Sequence, residues 1–298
     1  MTSFKTLMQR EWLQHRFGWA LLAGVPVAII LPLLTLGQVN FGEDTTAHMA
    51  GSMPLFITAA SLAATVMVLV GILWSASLIQ MSGLARRDHG DRSNEFWLSL
   101  PTGDAPSLAA PLLVHLVLVP LAAVAAGLVA GLLVSLVLVT RVTGLASWFT
   151  LPWGTLLTAA LAGAARLAVG IPLAMLWLLP LIMLTVLAGA WFKRWAVPVL
   201  IVAFGLAGLL FERLLGLPLI DAWVSRLFEM AGRALLATGG HGLTIEGQSD
   251  LLAGLQAAPR WVASDVLNAL AALAQPVFGF GLLVSAGCFA ALMWWRRR

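Results

Sequence analysis

PLLVHLVLVPLAAVAAGLVAGLLVSLVLV, residues 111–139, contains no Asp, Glu, Lys or Arg and a single imidazole, His115. A run this long has no polar stripe to offer water, so it cannot be an ordinary surface helix. It meets the requirement for crossing a bilayer, about 20 apolar residues whose backbone groups are satisfied internally. Working outward, five further runs qualify: 17–36, 55–81, 167–190, 196–215 and 276–294. Charged residues make up 10% of the 298 and hydrophobic ones 60%, against about 25% charged in soluble domains. The sequence therefore predicts an all-α polytopic membrane protein, one transmembrane domain over residues 1–298 with six spans.

Orientation follows from the basic residues. With the N-terminus inside, Lys5, Arg10, Arg16, Arg86, Arg87, Arg92, Lys193, Arg194, Arg296, Arg297 and Arg298 fall on the inner side. Arg141, Arg166, Arg213, Arg226, Arg233 and Arg260 fall outside, together with most of the acids. The excess of Lys and Arg inside places both termini in the cytoplasm. The formal charge of +4 is accounted for by these flanks, and no nucleic-acid partner is read from it. A lone Cys288 excludes an intrachain disulfide and a thiolate metal cluster.

Residues 142–165 carry no charge but include Trp148, Pro152, Trp153 and Gly154. A seventh crossing there would reverse the charge rule, so the segment is expected to be an interfacial or shallow re-entrant helix on the outer face. Residues 1–16 place Phe4, Leu7, Met8 and Trp12 at helical spacing, which suits an interfacial helix or a basic flank that sets topology. The longest outer connection, 216–275, has the apolar spacing of amphipathic helices with a glycine-rich turn at Gly239, Gly240 and Gly242.

The inner loop, 82–110, is the one dense island of charge. After Arg86, Arg87, Asp88, Asp91 and Arg92, Ser93 can cap a short helix containing Asn94, Glu95, Phe96, Trp97 and Leu100, which Pro101 stops. Two adjacent large aromatics on such a helix need cover. Either they rest on the headgroups or they fill a pocket on a partner protein.

Asp91-Arg92, Phe96-Trp97-Leu98-Ser99-Leu100-Pro101 and Asp104 resemble the inner-loop signature of bacterial ABC-2 type permeases, the membrane subunits of ATP-driven exporters. Ser93-Asn94-Glu95 is more polar than is usual in that family. The resemblance implies an interfacial N-terminal helix, six spans, a cytoplasmic coupling helix, and residence in the bacterial inner membrane. It also implies partners: two ABC ATPase subunits gripping residues such as Arg92 to Trp97 and Leu100, and a second permease copy or homologue, among membrane lipids. ATP and Mg are then expected in the partner ATPase, with no cofactor or metal bound by this chain. Independently, Lys5 and Lys193 are the only lysines and neither sits in a glycine-rich P-loop, so this chain is read as a transport subunit without its own ATPase or other enzymatic site.

The competing class is an ATPase-independent secondary transporter or an assembly factor. Proton-coupled transporters need titratable carriers inside the bundle. The runs offer His115 and, near the outer end of the fifth, Glu212 beside Arg213. An outer metal site from His48, Met49 and Met53 with Glu43, Asp44 and His241 lacks tight ligand spacing. Gly127, Gly131 and Ser135, four apart on the third span, permit close helix approach at a subunit seam or within one subunit. Gly170, Pro172 and Pro180 are expected to bend the fourth span.

Overall fold

The computed structural model describes residues 2–38, 51–81, 104–236 and 248–296. Among them the fold is entirely helical, and six helices are long and apolar enough to cross a membrane. In chain order these are α1 (Thr2–Leu36), α2 (Met53–Met81), α3 (Asp104–Leu113) continuing through a π-helical turn into α4 (Val119–Thr143), a short α5 (Leu145–Phe149), and α6 (Trp153–Phe192). Then come α7 (Ala196–Leu215), α8 (Leu219–Leu235), α9 (Gln248–Ala271) and α10 (Pro276–Arg296). The six helices long and apolar enough to span are α1, α2, α3–α4, α6, α7 and α10.

Several elements run longer than the sequence suggested. The expected interfacial segment 1–16 and the span 17–36 form one helix without a turn between them. No proline, glycine pair or capping residue interrupts Arg16-Phe17, and Pro26 and Pro32 are both accommodated inside the helix. Along α1, Leu13, Phe17, Leu21, Val25, Ile29 and Leu33 form an exposed apolar stripe at four-residue spacing, as a helix facing lipid requires. The segment 142–165 is not a separate re-entrant helix. Only Leu145–Phe149 stands alone, and from Trp153 the chain is already part of α6. Gly144, at φ 91°, makes the break, and Trp153 Nε1 donates to the Trp148 carbonyl at 3.1 Å. The 40 residues of α6 correspond to about 60 Å of helix, twice the hydrocarbon thickness of about 30 Å. This helix is the mast on which α8, α9 and α10 pack.

The tightest helix pair is α2 with α4. A Cβ on Gly127 would lie 2.6 Å from Val66 Cα, and one on Gly131 would lie 2.9 Å from Leu62 Cα. The backbones therefore touch where a side chain would intrude, which substitutes for the hydrophobic drive that lipid does not supply. Of the two readings of the Gly127, Gly131 and Ser135 stripe, the glycines fill an intrachain seam. Ser135 is buried and its hydroxyl donates to the Leu132 carbonyl of its own helix.

Among the described residues of the connection 216–275, α8 and α9 both pack along α6. Gly216, at φ 67°, caps α7 by donating its N–H to the Glu212 carbonyl. Trp177 of α6 anchors the core, with Phe278 of α10 edge-on at 5.0 Å and Leu227 and Met230 of α8 buried in the same cluster. At the far end of α1, Arg141 of α4 donates to the carbonyls of Thr35 and Gly37 at 2.6 and 3.0 Å. Helix ends leave such carbonyls without intrahelical partners, so a guanidinium from another span completes α1.

Candidate functional site: two buried polar clusters

The first cluster joins α1 to the third span. Glu11, His15 and Trp19 are spaced by four, which puts them on one face of α1, opposite the exposed apolar stripe. His115 arrives from the π-helical turn Val114–Leu118. Pro120 explains that turn: lacking an N–H, it cannot bond a carbonyl four residues back. The chain instead closes a wider ring, with Val119 N–H bonding the Val114 carbonyl. Val114, His115 and Leu116 are all buried in succession at this turn. Such turns recur at functional positions.

His115 is 1% exposed and Glu11 is 3% exposed. The His115 Nε2–H donates to Glu11 Oε1 at 2.9 Å. His15, at the edge of the cluster, brings Nδ1 to 3.2 Å from the Glu11 carbonyl and to 3.7 Å from Glu11 Oε1. The two imidazoles meet edge to face at 5.0 Å, and the Trp19 indole lies 5.5 Å from His115 and 6.5 Å from His15. The second ring nitrogen of His115 and the indole nitrogen of Trp19 are buried with no hydrogen-bond partner. Taken one from each residue, the donor atoms of Glu11, His15 and His115 all lie within 4.8 Å of one another. One carboxylate and two imidazoles can share a proton or hold a cation.

The second cluster joins α6 to α8 and α9 through Arg166. Arg166 is buried and spends its guanidinium on three acceptors. Nε donates to Asp265 Oδ2 of α9, Nη1 to the Ala234 carbonyl and Nη2 to the Arg233 carbonyl at 3.1 Å. The two carbonyls belong to the last turn of α8, whose negative dipole end favours a cation. Gly170 makes the approach possible, since a Cβ there would sit 2.3 Å from the Ala234 oxygen. The charge count places Arg166 on the outer side and says nothing of its pairing with Asp265. Beside the pair, a cavity of about 340 Å³ is lined by Trp177, Met230, Arg233, Asp265, Asn268 and Gln275. A second of about 340 Å³, almost wholly apolar, is lined by Leu62, Val66, Leu128, Leu156, Leu255 and Arg166.

The expected coupling residues Arg92, Ser93, Asn94, Glu95, Phe96, Trp97 and Leu100 lie outside the described residues. So do Glu43, Asp44, His48, Met49 and His241, while Met53 is buried against Ile57 and Val139. His115, weighed from sequence as a lone residue, acquires partners that sequence reasoning passed over. The signal available was the period of four in Glu11, His15 and Trp19. Comparison of the chain with models of protein families, with curated proteins and with solved structures finds no match.

Proposed function

We propose that this chain is the membrane-spanning permease subunit of an ABC-2 type exporter, which moves an amphipathic, lipid-like or peptide cargo on ATP hydrolysed by a separate subunit. The observation that carries the reading is the inner-loop sequence from Asp91 to Asp104, with Phe96 and Trp97 set between Ser93 and Pro101. The architecture is compatible with it: six apolar helices, with two further helices, α8 and α9, among the described residues between the fifth and sixth. A cargo with a lipid-like part is favoured by the apolar cavity lined by Leu62, Val66, Leu156 and Leu255. In this reading the chain holds no P-loop, both termini face the cytoplasm, and two permeases and two ATPases assemble.

The test is co-purification of the tagged chain with a P-loop ATPase, repeated with Phe96→Ala and Trp97→Ala combined. Loss of two aromatic anchors is expected to weaken the complex by at least about 2 kcal/mol, roughly 30-fold. The variant should still insert in the membrane. Wild-type ATPase retention and wild-type export in the double variant would reject the assignment.

The buried Glu11–His115 pair favours one other reading, a secondary transporter driven by an ion gradient, because such proteins place titratable groups within the bundle. An ATPase-free preparation that transports in response to an imposed proton gradient supports that reading and excludes the first.

A further inference from the structure

We infer that Glu11, His15 and His115 form a binding site for a divalent transition-metal ion, of which Zn²⁺ is the representative. The inference stands whether an ATPase or an ion gradient drives the chain. Zinc takes imidazole nitrogen and carboxylate oxygen at about 2.0–2.2 Å in tetrahedral sites, so neighbouring ligand atoms are about 3.4 Å apart. Glu11 Oε1 lies 2.9 Å from His115 Nε2 and 3.7 Å from His15 Nδ1, values that straddle that edge. Movements of a few tenths of an ångström bring those two pairs to it.

The ligands are also positioned before any ion arrives. Glu11 and His15 are one helical turn apart on α1, and the π-helical turn fixes His115 opposite them. Trp19, buried on the next turn of α1, packs over both imidazoles, and exclusion of water strengthens charge interactions inside. Two imidazoles and one carboxylate suit zinc, cobalt or nickel. A single carboxylate is too few oxygens for calcium or magnesium, and the absence of thiolate from the set disfavours copper(I).

For His115 Nε2 and His15 Nδ1 to ligate, each neutral ring carries its proton on its other nitrogen and His15 Nδ1 gives up its contact with the Glu11 carbonyl. A proton leaves to solvent only from a ring that was imidazolium, and dative bonds then form from one nitrogen of each imidazole and one Glu11 oxygen. A fourth coordination position remains for water, as in zinc sites with three protein ligands. Buried polar groups are nearly always hydrogen-bonded, yet this cluster also holds the partnerless His115 Nδ1 and Trp19 Nε1. Of the two, only the imidazole nitrogen can ligate a cation, since an indole N–H is a donor alone. An ion here would tie the first span to the third.

The experiment uses the full chain in lipid nanodiscs, purified through a histidine-free tag. Metal content after equilibration with micromolar free Zn²⁺, and the visible absorption of Co²⁺ bound in its place, are measured. About one Zn²⁺ per chain is expected, with the intense visible bands of low-coordinate Co²⁺ and a rise in melting temperature on adding Zn²⁺. A combined His48→Gln, His89→Gln and His241→Gln variant, which removes every other histidine, should keep all three signals. Glu11→Gln and His115→Gln should each weaken Zn²⁺ at least about 10-fold and abolish the melting shift. His15→Gln alters the most accessible ligand, 26% exposed, and should do the same even if the buried variants fail to fold. Zn²⁺ binding that is lost in the triple variant, or retained at wild-type affinity in His15→Gln, overturns the site. So does a folded wild-type chain that takes up no Zn²⁺.

Discussion

Arg166 with Asp265 and Glu11 with His115 are both buried pairs of opposite potential charge between helices distant in sequence, yet they are finished differently. Around Arg166, every one of the three guanidinium nitrogens has an acceptor, two of them carbonyls at the end of α8. Around His115, one ring nitrogen and a neighbouring indole nitrogen go without. A buried charge is tolerated when its hydrogen-bonding capacity is exhausted, and half-satisfied networks are costly. The Arg166 cluster is thus a fixture of the fold, and the His115 cluster keeps capacity for something else.

The contrast is broken most severely at Arg166. Arg166→Met leaves Asp265 as a buried charge without its partner and strips the last carbonyls of α8, at an expected cost of about 3–5 kcal/mol. Thermal unfolding in nanodiscs should show it, and a fully stable variant would remove the claim that this cluster is structural. Asp265→Asn keeps an acceptor of the same shape, so the loss should be smaller, about 1.5–3 kcal/mol for weakening a charge-assisted bond.

Next in size is Gly170→Ala. Its Cβ would meet both the Ala234 backbone oxygen and Arg166 Nη1, so α8 must move away from α6 and Arg166 must shift. The expected loss is about 1–3 kcal/mol, and it should shrink in an Arg166→Met background because the two changes disturb one contact. Additive losses would separate them.

Glu11→Gln should be the mild counterpart. Gln keeps an acceptor for His115 and adds no volume, so without metal the expected destabilisation is below about 1.5 kcal/mol. A loss as large as that of Arg166→Met would make both clusters structural and erase the distinction.

How much of this was legible follows from the same residues. The six spans were readable because lipid imposes its demand on every consecutive residue. The continuity of Thr2–Leu36 and of Trp153–Phe192 was not, because Trp148, Trp153 and the basic flank mark membrane depth without saying whether the helix stops there. Glu11, His15 and Trp19 could have been read as a face by their spacing, whereas His115 joins them from 104 positions away. Nothing local in Gly163 to Gly170 announces Asp265, 99 residues on. Gly127 and Gly131 announced close approach, but only the fold says that α2 fills it.

The smallest effect belongs to a surface pair that serves as the reference for both clusters. On exposed α8, Glu229 is bonded by Arg226 at 2.7 Å and by Arg233 at 2.6 Å. The Arg226 hydrogen bond holds its carboxyl below the usual value, against an opposing desolvation and helped by the charges of Arg226 and Arg233. A depressed carboxylate contributes above its unfolded pKa and loses that contribution as pH falls through its folded one. The wild-type chain should therefore melt slightly above Glu229→Gln at neutral pH, and the difference should vanish in acid. A gap that widened in acid would reverse the sign of the interaction.

The guanidinium of Arg141 on the final carbonyls of α1 has a mechanical consequence. The opposite end of the same helix is held by Glu11 against His115, so α1 is fastened near both ends to one neighbouring span. Between the fastenings lie Pro26 and Pro32, where the internal ladder of bonds is thinned, and a flank exposed at Phe17, Leu21, Val25, Ile29 and Leu33. A rod pinned at two points cannot slide like a piston; it can only bow between them. Distances from Val25 to α2 should then vary more between states than those from Glu11 or Thr35 to the third span, and paired spin labels would reveal a bowstring rather than a plunger.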